Sequence, residues 1–99
     1  MANYVLSRKA IKDLTEIWQY TLTTWSEIQA DKYYELLTGA FNTLAINPAL
    51  GRNYEEIANG LLGIRVGQHI IFYRKSKLKR IQIIRILHVR MDLNINIKG

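Results

Sequence analysis

The stretch Arg85-Ile86-Leu87-His88-Val89-Arg90-Met91-Asp92 contains the residue types best suited to chemistry in this chain. A histidine between arginines can move a proton at a phosphodiester while a guanidinium stabilises the charge building on the phosphate oxygens. In that use His88 is the acid or base, and Arg65 and Arg85 hold phosphate. The competing reading is a strand end, with His88 capping it and Asp92 paired to Arg90. The residue types alone favour this second reading.

Other chemical patterns are missing. Gly60, Gly63 and Gly67 have neither the spacing nor the following helix of a phosphate-cradling loop. His69 and His88 are far apart, without a clustered carboxylate or thiol, so no metal site is expected. No acid pair stands out, and no serine sits in a nucleophile elbow. No cofactor is expected. The chain has no cysteine, which excludes disulfides and thiolate metal sites and fits a reducing cytoplasm. No signal peptide and no membrane-length apolar run is apparent.

Charge is unevenly placed. Residues 1–60 carry five basic and seven acidic side chains, a net of −2. Residues 61–99 carry nine basic side chains and the single acid Asp92, a net of +8. Such a region attracts a phosphate backbone or an acidic protein segment.

These residues need elements to position them. The 99 residues fit one domain, with the tail from about residue 93 expected to be flexible. Asn3 to Leu6 reads as an opening strand, and Ser7 as a helix cap. Ala10, Leu14, Ile17, Trp18, Thr21, Leu22 and Trp25 recur at steps of three and four, the stripe of an amphipathic helix. Arg8, Lys9, Lys12, Asp13, Glu16 and Gln19 fall on its polar side. Ser26-Glu27-Ile28-Gln29 is a capping box for a second helix, ended before Pro48. Its stripe includes Tyr33, Tyr34, Leu37, Phe41 and Leu44. The tryptophans and tyrosines on these stripes read as core. Two helices so tightly joined lie antiparallel.

Asn47 to Arg52 reads as a turn, and Tyr54 to Ala58 as one more helical turn. The period then changes to two. Leu61 to Val66, a Gly67-Gln68 turn and His69 to Arg74 form a hairpin; a basic turn, Lys75 to Lys79, leads to a third strand, Arg80 to Leu87. The fold class is therefore α+β: an N-terminal strand and an antiparallel helical hairpin packed on a mainly antiparallel sheet, in the order β-α-α-β-β-β.

With that turn, Leu61, Gly63, Arg65, Ile70, Phe72 and Arg74 share one face. Leu62, Ile64, Val66, His69, Ile71 and Tyr73 share the other, more apolar face, which should pack on the helices. Arg85, among Ile81, Ile83 and Leu87, would join the first. The expectation is an apolar strip of Ile70 and Phe72 flanked by Arg65, Arg74 and Arg85, suited to phosphate, carboxylate or an acidic amphipathic helix. The alternative is that these arginines pair with Glu35, Glu55 or Glu56.

The pieces, in order, resemble the RelE/ParE toxin superfamily. Leu6-Ser7-Arg8-Lys9-Ala10 with Asp13-Leu14 and Ile17-Trp18-Gln19-Tyr20 resembles its opening. Asn47-Pro48-Ala49-Leu50-Gly51-Arg52 resembles its turn after the second helix. Arg65 to Arg74 resembles its hairpin, and Ile84 to Asp92 is similar to ParE-like members. The resemblance runs to about Leu93. It implies a bacterial cytoplasmic toxin of the sandwich fold, neutralised by a co-encoded ParD-like antitoxin whose C-terminal segment wraps it in a hetero-oligomer. For ParE-like members it implies inhibition of DNA gyrase by binding, without a cofactor.

On that reading Arg74, Arg85, His88 and Arg90 contact the target, and Arg65, Ile70, Phe72 and Arg74 contact the antitoxin. The RelE-like alternative is a ribosome-dependent messenger-RNA endoribonuclease using His88, Arg65 and Arg85, with Lys75, Lys77 and Lys79 nearby. Such members often carry a tyrosine near the C-terminus, whereas here the last tyrosine is Tyr73. A third reading is an inactive basic binding domain.

Overall fold

The computed structural model describes residues 3–77 and 80–98; Lys79 of the expected basic turn lies outside them. A short strand β1, Tyr4–Leu6, leads directly into helix α1, Arg8–Thr24. Ser7 Oγ accepts the Ala10 N–H at 3.0 Å, satisfying one of the amides that a helix start leaves unpaired. Ser26 does the same for α2, Glu27–Ile46, accepting the Gln29 N–H at 3.1 Å. Pro48 opens a 3-10 turn, Pro48–Leu50, where its missing N–H is harmless.

A five-stranded mixed sheet follows, in the order β1-β5-β4-β3-β2. The antiparallel core is β3 (Leu62–Val66), β4 (His69–Lys75) and β5 (Ile81–His88). The β3–β4 register is the expected one, with Val66 opposite His69, Arg65 opposite Ile70 and Gly63 opposite Phe72. Gly67 adopts a positive φ of 59° in the turn, a conformation that glycine reaches without strain. Two pairings add to the expected meander. β1 lies parallel to β5, and the two-residue strand β2, Arg52–Asn53, pairs with β3.

One irregularity changes the faces of β5. Phe72 pairs with Arg85 but Tyr73 pairs with Ile83, so Ile84 is an extra residue, a β-bulge. Ile81, Ile83 and Ile86 therefore face the main core, while Ile84 and Leu87 join a second cluster. The expected single face of Ile81, Ile83, Arg85 and Leu87 does not form.

The main core lies between the helical hairpin and the sheet and buries Ala10, Leu14, Leu37, Phe41, Leu44, Ile71 and Tyr73. The second core, Leu61, Phe72 and Leu87, lies on the opposite face of the sheet. It is roofed by Tyr54, Ile57 and Ala58 and by Leu93 and Ile97 of the C-terminal turn. Tyr54 meets Phe72 edge to face at 5.2 Å, and its ring sits where a β-carbon on Gly63 would be, 2.8 Å from Cε2. Residues 54–58 form the expected single turn, with Ala58 N–H donating to Tyr54 O at 3.2 Å. Residues Asn94–Lys98 form a π-helical turn.

Candidate functional site

The residues expected to act together are divided among three places. Arg85 sits at an open edge. β1 pairs with β5 only as far as Ile83, leaving the next backbone groups of β5 without a strand partner. Side chains serve instead. Ser7 Oγ donates to Ile84 O at 2.7 Å, and Asp13 Oδ2 accepts the Ile86 N–H at 3.0 Å. Asp13 also takes the Arg85 fork, Nε to Oδ2 at 2.8 Å and Nη2 to Oδ1 at 2.9 Å. Arg85 Nη1 donates to Asn96 O at 2.6 Å. This hydrogen-bonded carboxylate holds the guanidinium pKa above its ordinary value. Arg85 thus donates from each of its three guanidinium nitrogens. Asp13, expected on the polar side of α1, is turned inward and buried.

His88 lies in the second place, a groove of about 760 Å³ between α1, the start of α2, the Gly67-Gln68 turn and the end of β5. Its walls include Ile17, Tyr20, Trp25, Tyr33, His69 and Met91. Of the aromatics expected in the core, Trp25 and Tyr33 line this groove, together with Tyr20. Trp25 is 74% exposed and Tyr20 67%. The groove is open because β1 stops at Leu6, leaving no strand beside the far end of β5.

Tyr33 organises its floor. Its hydroxyl lies 2.7 Å from His69 Nδ1 and 3.2 Å from Val66 O, and it accepts the Gln68 N–H at 3.1 Å. Burial raises the Tyr33 pKa. His69 packs edge-on to His88, with ring centroids 5.4 Å apart. Burial first, and His88 second, push the His69 pKa down to about 4, so His69 is neutral near pH 7. His88 Nδ1 accepts the Arg90 N–H at 3.2 Å, the cap that the strand-end reading expects of it.

The third place is the roofed face of the sheet, where Arg65 and Arg74 stand. The expected open apolar strip is absent there. Phe72 is fully buried beneath the roof, and Ile70 is half-buried in the same cluster. Arg65 Nε donates to Gly67 O at 3.1 Å, and Arg74 Nε to Asn59 O at 2.9 Å. Neither pairs with Glu35, Glu55 or Glu56; among the described residues the ion pairs are Arg85–Asp13 and Lys12–Glu16. Arg74, Arg85, His88 and Arg90 therefore do not form one surface. The groove was missed by sequence reasoning, although Tyr20, Trp25 and Tyr33 signal it through their aromatic character.

Among the described residues no three histidine, cysteine, aspartate or glutamate side chains are grouped to hold a metal ion. No described helix is long and apolar enough to cross a membrane.

Known proteins match most of this chain. Residues 4–93 match the family model described as the ParE toxin of the type II toxin–antitoxin system parDE. The chain is 38% identical over 96 residues to Toxin ParE1 of Mycobacterium tuberculosis, covering 97% of this chain and 98% of that one. It is 36% identical over 92 residues to Toxin ParE1 of Caulobacter vibrioides, covering 93% and 94%. A solved structure described as the chromosomal ParDE TA system from P. aeruginosa superposes with a TM-score of 0.74 at 23% identity, over 91% of this chain and 98% of that one, and shares the fold. The matched region runs from β1 past the end of β5 and takes in both the Asp13–Arg85 edge and the groove, so the chain belongs to the ParE toxin family of type II toxin–antitoxin systems.

Proposed function

We propose that this chain is a cytoplasmic toxin that inhibits DNA gyrase by binding and is held inactive by a co-encoded antitoxin. The observation favouring binding over RNA cleavage is the engagement of Arg85. Its Nε–Nη2 side is held by the Asp13 carboxylate and its Nη1 by Asn96 O, so the charge a cleaved phosphate would need is already paired. His88 faces an apolar groove without that partner.

The antitoxin docks, on this reading, in the aromatic groove. An amphipathic segment needs an apolar trough. The strip first expected to supply one, Ile70 and Phe72, is roofed, whereas Tyr20, Trp25 and Met91 expose large apolar surfaces around the groove. Arg74 and Arg90 remain candidates for target contact, while Arg85 braces the sheet edge and His88 lines the groove.

The test is a supercoiling assay with purified gyrase, plasmid, ATP and this protein. Inhibition, with linear DNA released on protein denaturation, is the expected result. Unchanged supercoiling at a large excess, together with messenger RNA cut after brief expression, would replace this reading with the endoribonuclease.

A further inference from the structure

The roofed face of the sheet carries three arginines already held in place. Arg52, Arg65 and Arg74 stand on β2, β3 and β4, and the register puts all three on that face: Arg52 opposes Gly63, which opposes Phe72, and Arg65 and Arg74 lie two residues to either side of that row. Neighbouring strands are about 4.8 Å apart and alternate residues about 7 Å apart, so the three stem from a patch on the order of 10 by 14 Å. Arg65 and Arg74 are each fixed through Nε by a backbone carbonyl, which leaves both terminal nitrogens of each fork without a partner among the described residues. Arg52 is fixed differently, its guanidinium 5.1 Å from the centre of the Tyr54 ring. Side chains ordered before binding lose less entropy when they bind.

We propose that this arginine patch binds the phosphodiester backbone of a nucleic-acid duplex, without reading its sequence. The guanidinium fork matches phosphate oxygens in pairs. The exposed Lys77 and Arg80, between β4 and β5, add positive charge beyond the Arg74 end of the patch. The acids on the roof are Glu55 and Glu56, exposed and unpaired with the arginines among the described residues, and Asp92 lies at the start of the C-terminal turn. The balance is positive.

The surroundings favour a duplex over the other polyanions. An acidic amphipathic helix needs exposed apolar surface, and here Phe72, Leu61 and Leu87 are buried. A single strand needs aromatic platforms for its bases, and the Tyr54 ring is occupied by Arg52 above and Phe72 beneath. A duplex backbone needs only ordered cations. The inference is independent of the gyrase reading, because the isolated chain should bind duplex with no topoisomerase present.

The experiment titrates the full chain into fluorescently labelled 20-base-pair DNA and RNA duplexes at several salt concentrations. Three phosphate contacts predict a slope of log affinity against log salt of about −2.7, so a fourfold rise in salt weakens binding about 40-fold. Arg52→Gln, Arg65→Gln and Arg74→Gln together should flatten that slope by about 2.7, with circular dichroism confirming the fold. Glu55→Gln with Glu56→Gln, which touches none of the arginine anchors, should tighten binding and gives the test a variant that does not depend on removing them. The preferred duplex identifies the nucleic acid. No binding of either duplex at 50 mM salt, an unchanged salt slope in the triple variant, or tighter binding of a poly-glutamate peptide than of both duplexes would overturn the proposal; failure here leaves supercoiling inhibition untouched.

Discussion

Asp13 and Arg85, 72 residues apart, close the open edge of the sheet with a two-pronged ion pair at 2.8 and 2.9 Å. The same carboxylate accepts the Ile86 N–H, and the same guanidinium holds Asn96 O. One interaction therefore joins α1, β5 and the C-terminal turn. Its two side chains are only 10% and 16% exposed, so removal of one partner strands a poorly solvated charge.

Asp13→Ala should accordingly cost about 3 kcal/mol or more, read as a fall in the urea midpoint. Asp13→Asn combined with Arg85→Met should lose less than the sum of the single changes, by more than about 1 kcal/mol, because asparagine still accepts from Ile86 and no lone charge remains. Additive losses would mean that the pair is not a unit. Arg85→Met should also speed amide exchange across residues 92–98.

His69 makes stability pH-dependent. Its folded-state pKa is about 4, below the ordinary 6.5, chiefly through burial and then through His88, with Asp13 acting in the opposite direction. The unfolded chain therefore takes up the proton first. The contribution of neutral His69 is fully present above about pH 6.5 and is lost as pH falls through about 4. NMR titration should find His69 neutral at pH 5.5. Tyr33→Phe removes the hydroxyl 2.7 Å from Nδ1; if that hydroxyl gives its proton to the neutral ring, the titration moves upward, and an unmoved titration would show that the contact does not favour the neutral ring.

Tyr73 ties the turn after α2 to the sheet. Its buried hydroxyl donates to Pro48 O at 2.7 Å and accepts the Gly51 N–H at 2.8 Å, and burial raises its pKa. Tyr73→Phe leaves both backbone groups without that partner and should cost about 1–3 kcal/mol in chemical denaturation, with the sheet otherwise intact. A loss below about 0.5 kcal/mol would show that the turn is held by other means.

How far the sequence discloses this structure depends on whether the signal is local. The hairpin register follows from Gly67-Gln68 and a two-residue period, and both helix starts follow from Ser7 and Ser26. The bulge at Ile84 has no such signal, since an isoleucine in an isoleucine-rich strand looks like its neighbours. Asp13 occupies a polar position of an amphipathic helix, and its partner lies far along the chain, so periodicity assigns it to solvent. The roof rests on short spacings, Tyr54 with Ile57 and Ala58, and Leu93 with Ile97, that are too brief to stand out. Trp25 and Tyr33 fit core stripes by spacing; they line a groove with Tyr20 because β1 ends after three residues.

Trp25 offers a direct readout of that groove. It follows the last turn of α1, lies 74% exposed, and shares the groove wall with Tyr20, Gln29 and Met91. A docked amphipathic segment would remove the indole from water, so antitoxin binding should shift its fluorescence to the blue. Trp18 is half-buried and donates through Nε1 to Asp31 at 3.1 Å, which makes it the quieter of the two tryptophans. Trp25→Ala should abolish most of the shift and weaken the complex at least tenfold, about 1.4 kcal/mol, since an exposed aromatic that becomes buried is a frequent centre of binding energy. Arg65→Gln with Arg74→Gln, on the far face of the sheet, should leave that affinity within about twofold. The reverse pattern, a neutral Trp25→Ala and a damaging arginine pair, would place the antitoxin on the roofed face and refute docking in the groove.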